Sequence, residues 1–337
     1  MGVTRREMLA HTGVFATVAI AMGSRVYAET RPHVIYAETE GYHWMVPYVA
    51  SAIGSWNDAG LDLETIPFAT GRLGLDAVLA GKASFCISTD TPFIYAAMRG
   101  LKPRIVALFS TSTTGSQPLA VRADRIATPR DFSGKTVATQ MGGGGHYFLT
   151  RFLAYHDVDP NDVAIINMPP TDMVTALVHG DVDAISWDAE TGKAAEERGA
   201  GKVRVFDTSD SPKYFRQNCI LTASDQVVNE QPEACDRAVK ALQLAVAFIA
   251  KHPDKAVEFV AARTKTSTAE SRQALTGFDH GLRFDQALLD DLVNQSEWAI
   301  ESNLAKRPAD DLASFYRQLL YVEGLRKVDP DAVTLSQ

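Results

Sequence analysis

Two stretches of this chain follow one plan: Leu75-Asp76-Ala77-Val78-Leu79-Ala80-Gly81-Lys82-Ala83-Ser84-Phe85, and Val174-Thr175-Ala176-Leu177-Val178-His179-Gly180-Asp181-Val182-Asp183-Ala184. Each carries an apolar helical pattern into a glycine, turns through a polar residue and enters a short apolar run. Glycine tolerates the left-handed backbone that ends a helix, so Gly81 and Gly180 mark helix stops. A helix stopped in this way before a short strand is half of a βαβ unit, and repeated units build a mostly parallel sheet.

Working outward, the first set has predicted strands at 33–37, 60–67, 85–88 and 105–110, with helices at 45–54, 73–79 and 92–99. The second has strands at 118–121, 135–138, 163–167, 184–187 and 203–206, with helices at 128–132, 147–155 and 173–179. From Pro232 the pattern changes to long helices at 232–251, 254–262, 269–276, 285–303 and 308–321. Ala238, Leu242, Ala245 and Ile249 keep the helical spacing of a buried face. This reads as a helical cap on the first set.

The chain has 337 residues and a net charge of −8. Its first 28 residues hold Arg5, Arg6 and Arg25 against Glu7, so the other 309 (337 less 28) carry −10 (−8 less +2). An acidic chain lacks the basic surface that nucleic acid selects. A chain of 309 residues also passes the size at which single cores stop growing, so two lobes are expected. Three cysteines, Cys86, Cys219 and Cys235, are too few for a disulfide framework. They leave either one Cys219–Cys235 bridge or three buried thiols.

Five landmarks lie in order along the second set. They are Asp131-Phe132-Ser133-Gly134-Lys135-Thr136-Val137-Ala138, the run Gly142 to Gly145 leading to His146, Asp172 to Leu177, Gly180 to Ala184, and Trp187-Asp188. In this the chain resembles the periplasmic binding proteins of the nitrate, sulfonate and taurine importer group, over most of residues 31–260. It departs where many members have Trp-Glu-Pro, because Trp187-Asp188-Ala189-Glu190 stands there. The resemblance implies a type II periplasmic-binding fold of two α/β lobes with a ligand cleft between them. Lobe one would be 31–116 with 221–337 and lobe two 117–220, with crossovers near 115–119 and 218–222. It implies the periplasmic component of an ABC importer that captures a small organic anion such as a sulfonate or taurine. Its partners would be that ligand and the importer's permease and ATPase, and it would be a monomer with no cofactor.

Ligands of open α/β sheets sit beyond the carboxyl ends of strands, at helix N-termini. Four loops answer to that. Tyr42, His43 and Trp44 put three rings in succession; they form a core cluster or turn at least one ring to the cleft. Gly71 lets backbone approach a ligand, and Arg72 is either a solvated helix-start cation or a bidentate partner for an anion. Thr89, Asp90 and Thr91 precede Pro92, so Thr91 fits a helix cap and Asp90 would accept from an amine on the ligand. Gln140 leads into Gly143, Gly144, Gly145 and His146, where successive amides converge on an anion. Trp187 and Asp188 close the second lobe's side, and Asp188 would read an amine or a ring N–H.

Enzymes resembling this group, desulfinases and pyrimidine-synthesising proteins, make catalysis the alternative, as is a receptor for an aromatic acid or a pyrimidine. Cys86 is the one cysteine near the cleft, but it lies within a strand, so no catalytic residue is expected. No His or Cys spacing suits zinc, so no metal is expected either.

The first 28 residues carry an export pattern. Arg5-Arg6 precedes an uncharged run from Thr12 to Ser24, and Val26-Tyr27-Ala28 offers a small-residue cleavage site. The arginine pair resembles a twin-arginine signal. The apolar run falls short of the ~20 residues a membrane span needs. The mature protein is therefore expected free in the periplasm. Amino-terminal sequencing of exported protein should begin at Glu29; finding Met1 would refute the signal.

Overall fold

The computed structural model describes residues 31–41, 43–114 and 118–335, and Pro32–Gln337 form one compact unit. The expected leader, Tyr42, and part of the first expected crossover lie outside the described residues.

The strands are β1 His33–Thr39, β2 Asp62–Phe68, β3 Phe85–Thr89, β4 Pro103–Ser112, β5 Leu119–Arg122, β6 Thr136–Thr139, β7 Ala164–Asn167, β8 Ala184–Ser186, β9 Val203–Val205, β10 Asn218–Ser224 and β11 Phe278–Arg283. They form two sheets, ordered β11-β4-β10-β3-β1-β2 and β7-β6-β8-β5-β9. In the first, β1 runs parallel to β2 and β3, while β10 lies antiparallel between β3 and β4. In the second, β6 runs parallel to β7 and β8, while β5 lies antiparallel between β8 and β9. Strand β10 joins the first sheet from Asn218, ahead of residue 221.

The helices are α1 Met45–Ala52, α2 Ser55–Asp58, α3 Gly71–Leu79, α4 Asp90–Met98, α5 Gly144–Tyr155, α6 Pro170–His179, α7 Ala189–Arg198, α8 Asp225–Glu230, α9 Pro232–Lys251, α10 Pro253–Thr264, α11 Thr268–Thr276, α12 Gln286–Glu301, α13 Leu312–Arg317 and α14 Val322–Val328. They cover both faces of each sheet. One face of the first sheet buries Phe85, Ile87 and Phe109 with Ala238, Leu242 and Ala245 of α9; the other packs Ala37 and Cys86 against Leu75 and Val78 of α3. The second sheet buries Val137 with Phe148 and Phe152 of α5, and Ala138 and Ile185 with Met173 and Leu177 of α6. Strands sandwiched in this way read as continuous apolar runs, which is why Phe85-Cys86-Ile87 was visible as a strand.

Several readings need correction. The C-terminal third is not all helix, because β11 pairs antiparallel with β4. Its residues Phe-Asp-His-Gly-Leu-Arg carry no strand pattern. They are held instead by His280 against the Ser110 hydroxyl (2.8 Å) and by Arg283 donating to Thr111 Oγ1 (2.5 Å). The helix expected at 308–321 breaks after Arg317. There Ile105 N–H donates to Leu319 O (2.9 Å) and Tyr321 N–H donates to Ile105 O (2.8 Å), so the chain runs beside β4. Helix α7 escaped notice because it packs through small residues, Gly192 and Ala195, and has no apolar stripe. The three cysteines are free and buried, which removes the bridged alternative. Among the described residues no helix is long and apolar enough to cross a membrane.

The first turn of α5 rests directly on the end of β8. Thr139 Oγ1 donates to Ser186 O (2.9 Å) and Ser186 Oγ donates to Gly145 O (2.8 Å). A Cβ on residue 145 would lie 2.4 Å from Ser186 O, well inside contact distance. Gly145→Ala is therefore expected to destabilise the protein by about 1–3 kcal/mol, the usual cost of forced overpacking, as read from the urea midpoint. An unchanged midpoint would mean that α5 can lift from β8 freely.

Candidate functional site

The carboxyl ends of β1, β2, β3, β6 and β8 point to one cleft between the two sheets. The amino ends of α1, α3, α4, α5 and α7 arrive there with them, because each helix follows a cleft-side strand end by one short turn. The cleft leaves a narrow cavity of about 70 Å³ between its walls. Its walls include His43, Trp44, Gly71, Arg72, Thr89, Gln140, Gly143, Gly144, Gly145, Trp187 and Asp188. Those residues come from all four loops and the β8 end singled out in the sequence. Thr39, Glu40, Ala69, Thr70, Pro92 and Gln217 also line it. Gln217 was missed because it is a single polar residue in the return crossover, without a pattern of its own.

Three expected residues stand away from the cleft. Asp90 is buried, with its Oδ2 accepting from Asn218 Nδ2 (2.8 Å) and Gln295 Nε2 (2.7 Å). Thr91 does not cap α4, which begins one residue earlier; its hydroxyl donates to Gln295 Oε1 (2.8 Å). His146 is buried with its ring edge-on to Trp298 (5.3 Å), and burial lowers its pKa to about 4, so it is neutral. A side chain beside a strand end can face the cleft or the core, and the packing of α12 turns all three toward the core.

The glycines serve packing before ligand. A Cβ on residue 71 would come within 2.8 Å of the Ser88 backbone, so Gly71 lets α3 settle on β3. One on residue 143 would press on the Trp187 ring at 3.2 Å. What this leaves for a ligand is the start of α5 at Gly144 and Gly145, where helix geometry gives the first amides no carbonyl of their own. Thr70 caps α3 by accepting from Leu73 N–H (3.3 Å), and Asp188 caps α7 by accepting from Thr191 N–H (2.8 Å). Thr89 precedes α4 without capping it by its side chain.

The ring wall is anchored. Trp44 donates from Nε1 to Glu40 O (3.1 Å) and packs on His43 (4.3 Å between centroids), so it is both core and cleft surface. Burial lowers the His43 pKa to about 4, which keeps that ring neutral. Among the described residues of the wall, Arg72 is the one cation, and Glu40 and Asp188 are the carboxylates. Burial pushes the Asp188 carboxyl up, against the pull of its Thr191 hydrogen bonds. Arg72 spans the cleft, donating from Nη1 to Met141 O (3.2 Å). Lys193 of α7 pairs with Glu270 of α11 at another edge. Trp298 of α12 packs on Tyr147 of α5 (4.9 Å).

Cys86 cannot serve as a nucleophile from this position. It is fully buried against Gly74 and Ala37, and burial drives its thiol far above the usual range. Among the described residues no three His, Cys, Asp or Glu side chains gather to hold a metal ion.

A Brucella abortus protein, named for binding without a stated ligand, is 27% identical over 225 residues, 66% of this chain and 68% of the relative. The taurine-binding periplasmic protein of Escherichia coli is 26% identical over 142 residues, 42% of this chain and 44% of its own. The alkanesulfonate-binding protein SsuA of Xanthomonas axonopodis, solved with MOPS bound, superposes with a TM-score of 0.73 at 14% identity, covering 86% of this chain and 98% of that one. The shared architecture is the two-lobed type II periplasmic-binding fold with its cleft between lobes. The model of the NMT1/THI5 like family matches residues 42–256. With most of both sheets inside that match, this chain belongs to the NMT1/THI5 like family.

Proposed function

We propose that this protein is the periplasmic receptor of an ABC importer, exported through its twin-arginine leader as a monomer and delivering a small organic anion of the sulfonate class to a permease and ATPase. One observation carries the reading: the cleft sets Trp44, Trp187 and Pro92 beside Arg72 and the starts of α3 and α5. Helix starts carry about half a positive charge each and offer unpaired amides, so they stabilise an anion without needing a lysine. The rings supply apolar contact, from which most small-ligand affinity comes. Glu40 and Asp188 on the same walls favour a ligand that also bears an amine, as taurine does. Among the described residues the walls hold no exposed nucleophilic cysteine, and the relatives named above are binding proteins, so the ligand is held and passed on unchanged.

Thermal denaturation with taurine, alkanesulfonates, nitrate, aromatic acids and pyrimidines tests this. A sulfonate at 100 times its Kd adds ~2.7 kcal/mol, a melting shift of several degrees. Arg72→Ala should weaken sulfonate binding about 10- to 100-fold, the scale of a lost charged hydrogen bond. Trp187→Ala should weaken it comparably. Stabilisation by neutral heterocycles alone would overturn the anion reading, and chemically altered ligand recovered from the denatured complex would overturn the receptor reading.

A further inference from the structure

The cavity lined by Trp44 and Trp187 is too small for more than the head of a ligand. At about 70 Å³ it has room for on the order of five water-sized groups, which is a sulfonate and the carbon that bears it. Two larger spaces adjoin it. One, of about 520 Å³, shares Glu40, Trp187 and Asp188 with it and adds Glu190, Arg263 and Lys265. The other, of about 310 Å³, shares Arg72 and Pro92 with it and lies between α3, α4 and Met141. Whatever a ligand carries beyond its head has to enter one of these two.

The two differ in chemistry. The first is lined by three carboxylates and two cations, and a hydrocarbon chain laid over them would strip their water without replacing it. The second is walled by Tyr95, Ala96, Leu101, Met141 and Leu304. Leu101 is 45% exposed, so apolar surface stands open beside the cavity. These walls are held in place. Leu101 N–H donates to Ala96 O (3.2 Å), Leu304 N–H donates to Ala299 O (2.8 Å), and Met141 N–H donates to Asn167 Oδ1 (3.0 Å). Trp298 stands edge-on to the Tyr95 ring (6.3 Å). The throat between cavity and compartment is formed where Arg72 Nη1 donates to Met141 O. A Cβ on residue 142 would meet the Tyr95 ring at 3.7 Å and Arg72 Nη1 at 3.9 Å, so Gly142 closes the other side of that throat.

We propose that this second space is a tail compartment: it takes the apolar end of a sulfonate that carries a chain of several carbons, while Arg72 and the start of α5 hold the head. The assignment rests on the receptor reading and narrows its ligand class. Arg72 then serves two purposes, because it faces the head and stands at the throat through which the chain leaves. The gain comes from burial of methylene groups against walls that are already apolar, and it grows with each carbon until the chain runs out of compartment. The walls belong to both lobes. Tyr95, Leu101 and Leu304 come from the side of the first sheet, and Met141 comes from the loop between β6 and α5 of the second. A chain lying between them touches both lobes at once, so its burial adds to the stability of the closed arrangement.

Calorimetric titration of the mature protein with methane-, butane- and hexanesulfonate decides it. Affinity should rise about two- to fourfold per added methylene, the upper figure being complete burial. The heat-capacity change of binding should become more negative along the same series. Leu101→Glu, at a side chain already open to solvent, should cut the ratio of hexane- to methanesulfonate affinity roughly fivefold or more. Lys265→Glu, in the charged space, should leave that ratio as in wild type. A flat wild-type series with methanesulfonate bound refutes the compartment and leaves the receptor reading intact. A ratio that Lys265→Glu lowers and Leu101→Glu does not would send the chain the other way and refute the assignment. If Leu101→Glu fails to fold, the wild-type heat-capacity series decides alone, and a constant value refutes the compartment. Binding of none of the three sulfonates overturns the sulfonate reading and the compartment with it.

Discussion

Each sheet is completed by a strand that has just crossed from the other. Strand β10 follows β9 of the second sheet, yet it lies between β3 and β4 of the first, and it is buried along almost its whole length. Strand β5 follows β4 of the first sheet, yet it lies between β8 and β9 of the second. Removing either would strand two rows of backbone donors and acceptors, which a buried sheet cannot tolerate. The two halves are thus not domains on a string. Their covalent crossings are also their structural keys, and the cleft is the space those crossings leave between the carboxyl ends of two parallel sets.

That arrangement decides the chemistry available. A parallel strand followed by a helix delivers a helix N-terminus at the strand's carboxyl end, so every cleft-side loop brings unpaired amides with it. The helix starts therefore add partial positive charge at the site, although the chain carries −8 overall. Arg72 adds the one full cation among the described wall residues, whereas Glu40 and Asp188 set a local limit. A purely anionic ligand has to lie nearer α3 and α5 than α7, where Asp188 already occupies the cap.

The sequence made the parallel strands legible because strands covered on both faces must be apolar along their length. Gly81 and Gly180 were equally visible, since both hold the left-handed backbone that stops a helix. The wall residues were found by position, at strand ends, and most of them line the cleft. What the pattern could not supply was direction. Asp90 and Trp187 both sit near strand ends, but α12, far along the chain, turns the carboxylate inward. Gly71 and Gly145 looked like room for a ligand, and their missing Cβ atoms are filled by Ser88 and Ser186 instead. Strand β11 depends on β4, distant in sequence, so no local window contains its cause, and helix α7 has no apolar stripe to mark it.

The contacts that hold the lobes together across the cleft are modest. Lys193 and Glu270 form a surface pair, a class that contributes little once solvated and screened by salt. Arg72 to Met141 is one exposed hydrogen bond, of a charged class worth about 1.5–3 kcal/mol when shielded and less in solvent. Trp298 on Tyr147 adds an aromatic contact of about 0.5–1.5 kcal/mol. Moving a two-state equilibrium from 1:99 to 99:1 takes about 5.5 kcal/mol, so these bonds bias closure without fixing it. The remainder has to come from whatever fills the space between Trp44 and Trp187, and that is the energetic condition under which a cleft reports occupancy by its shape. A receptor locked shut by its own lobes would bind nothing, and one with no bias would pay the full ordering cost at every capture.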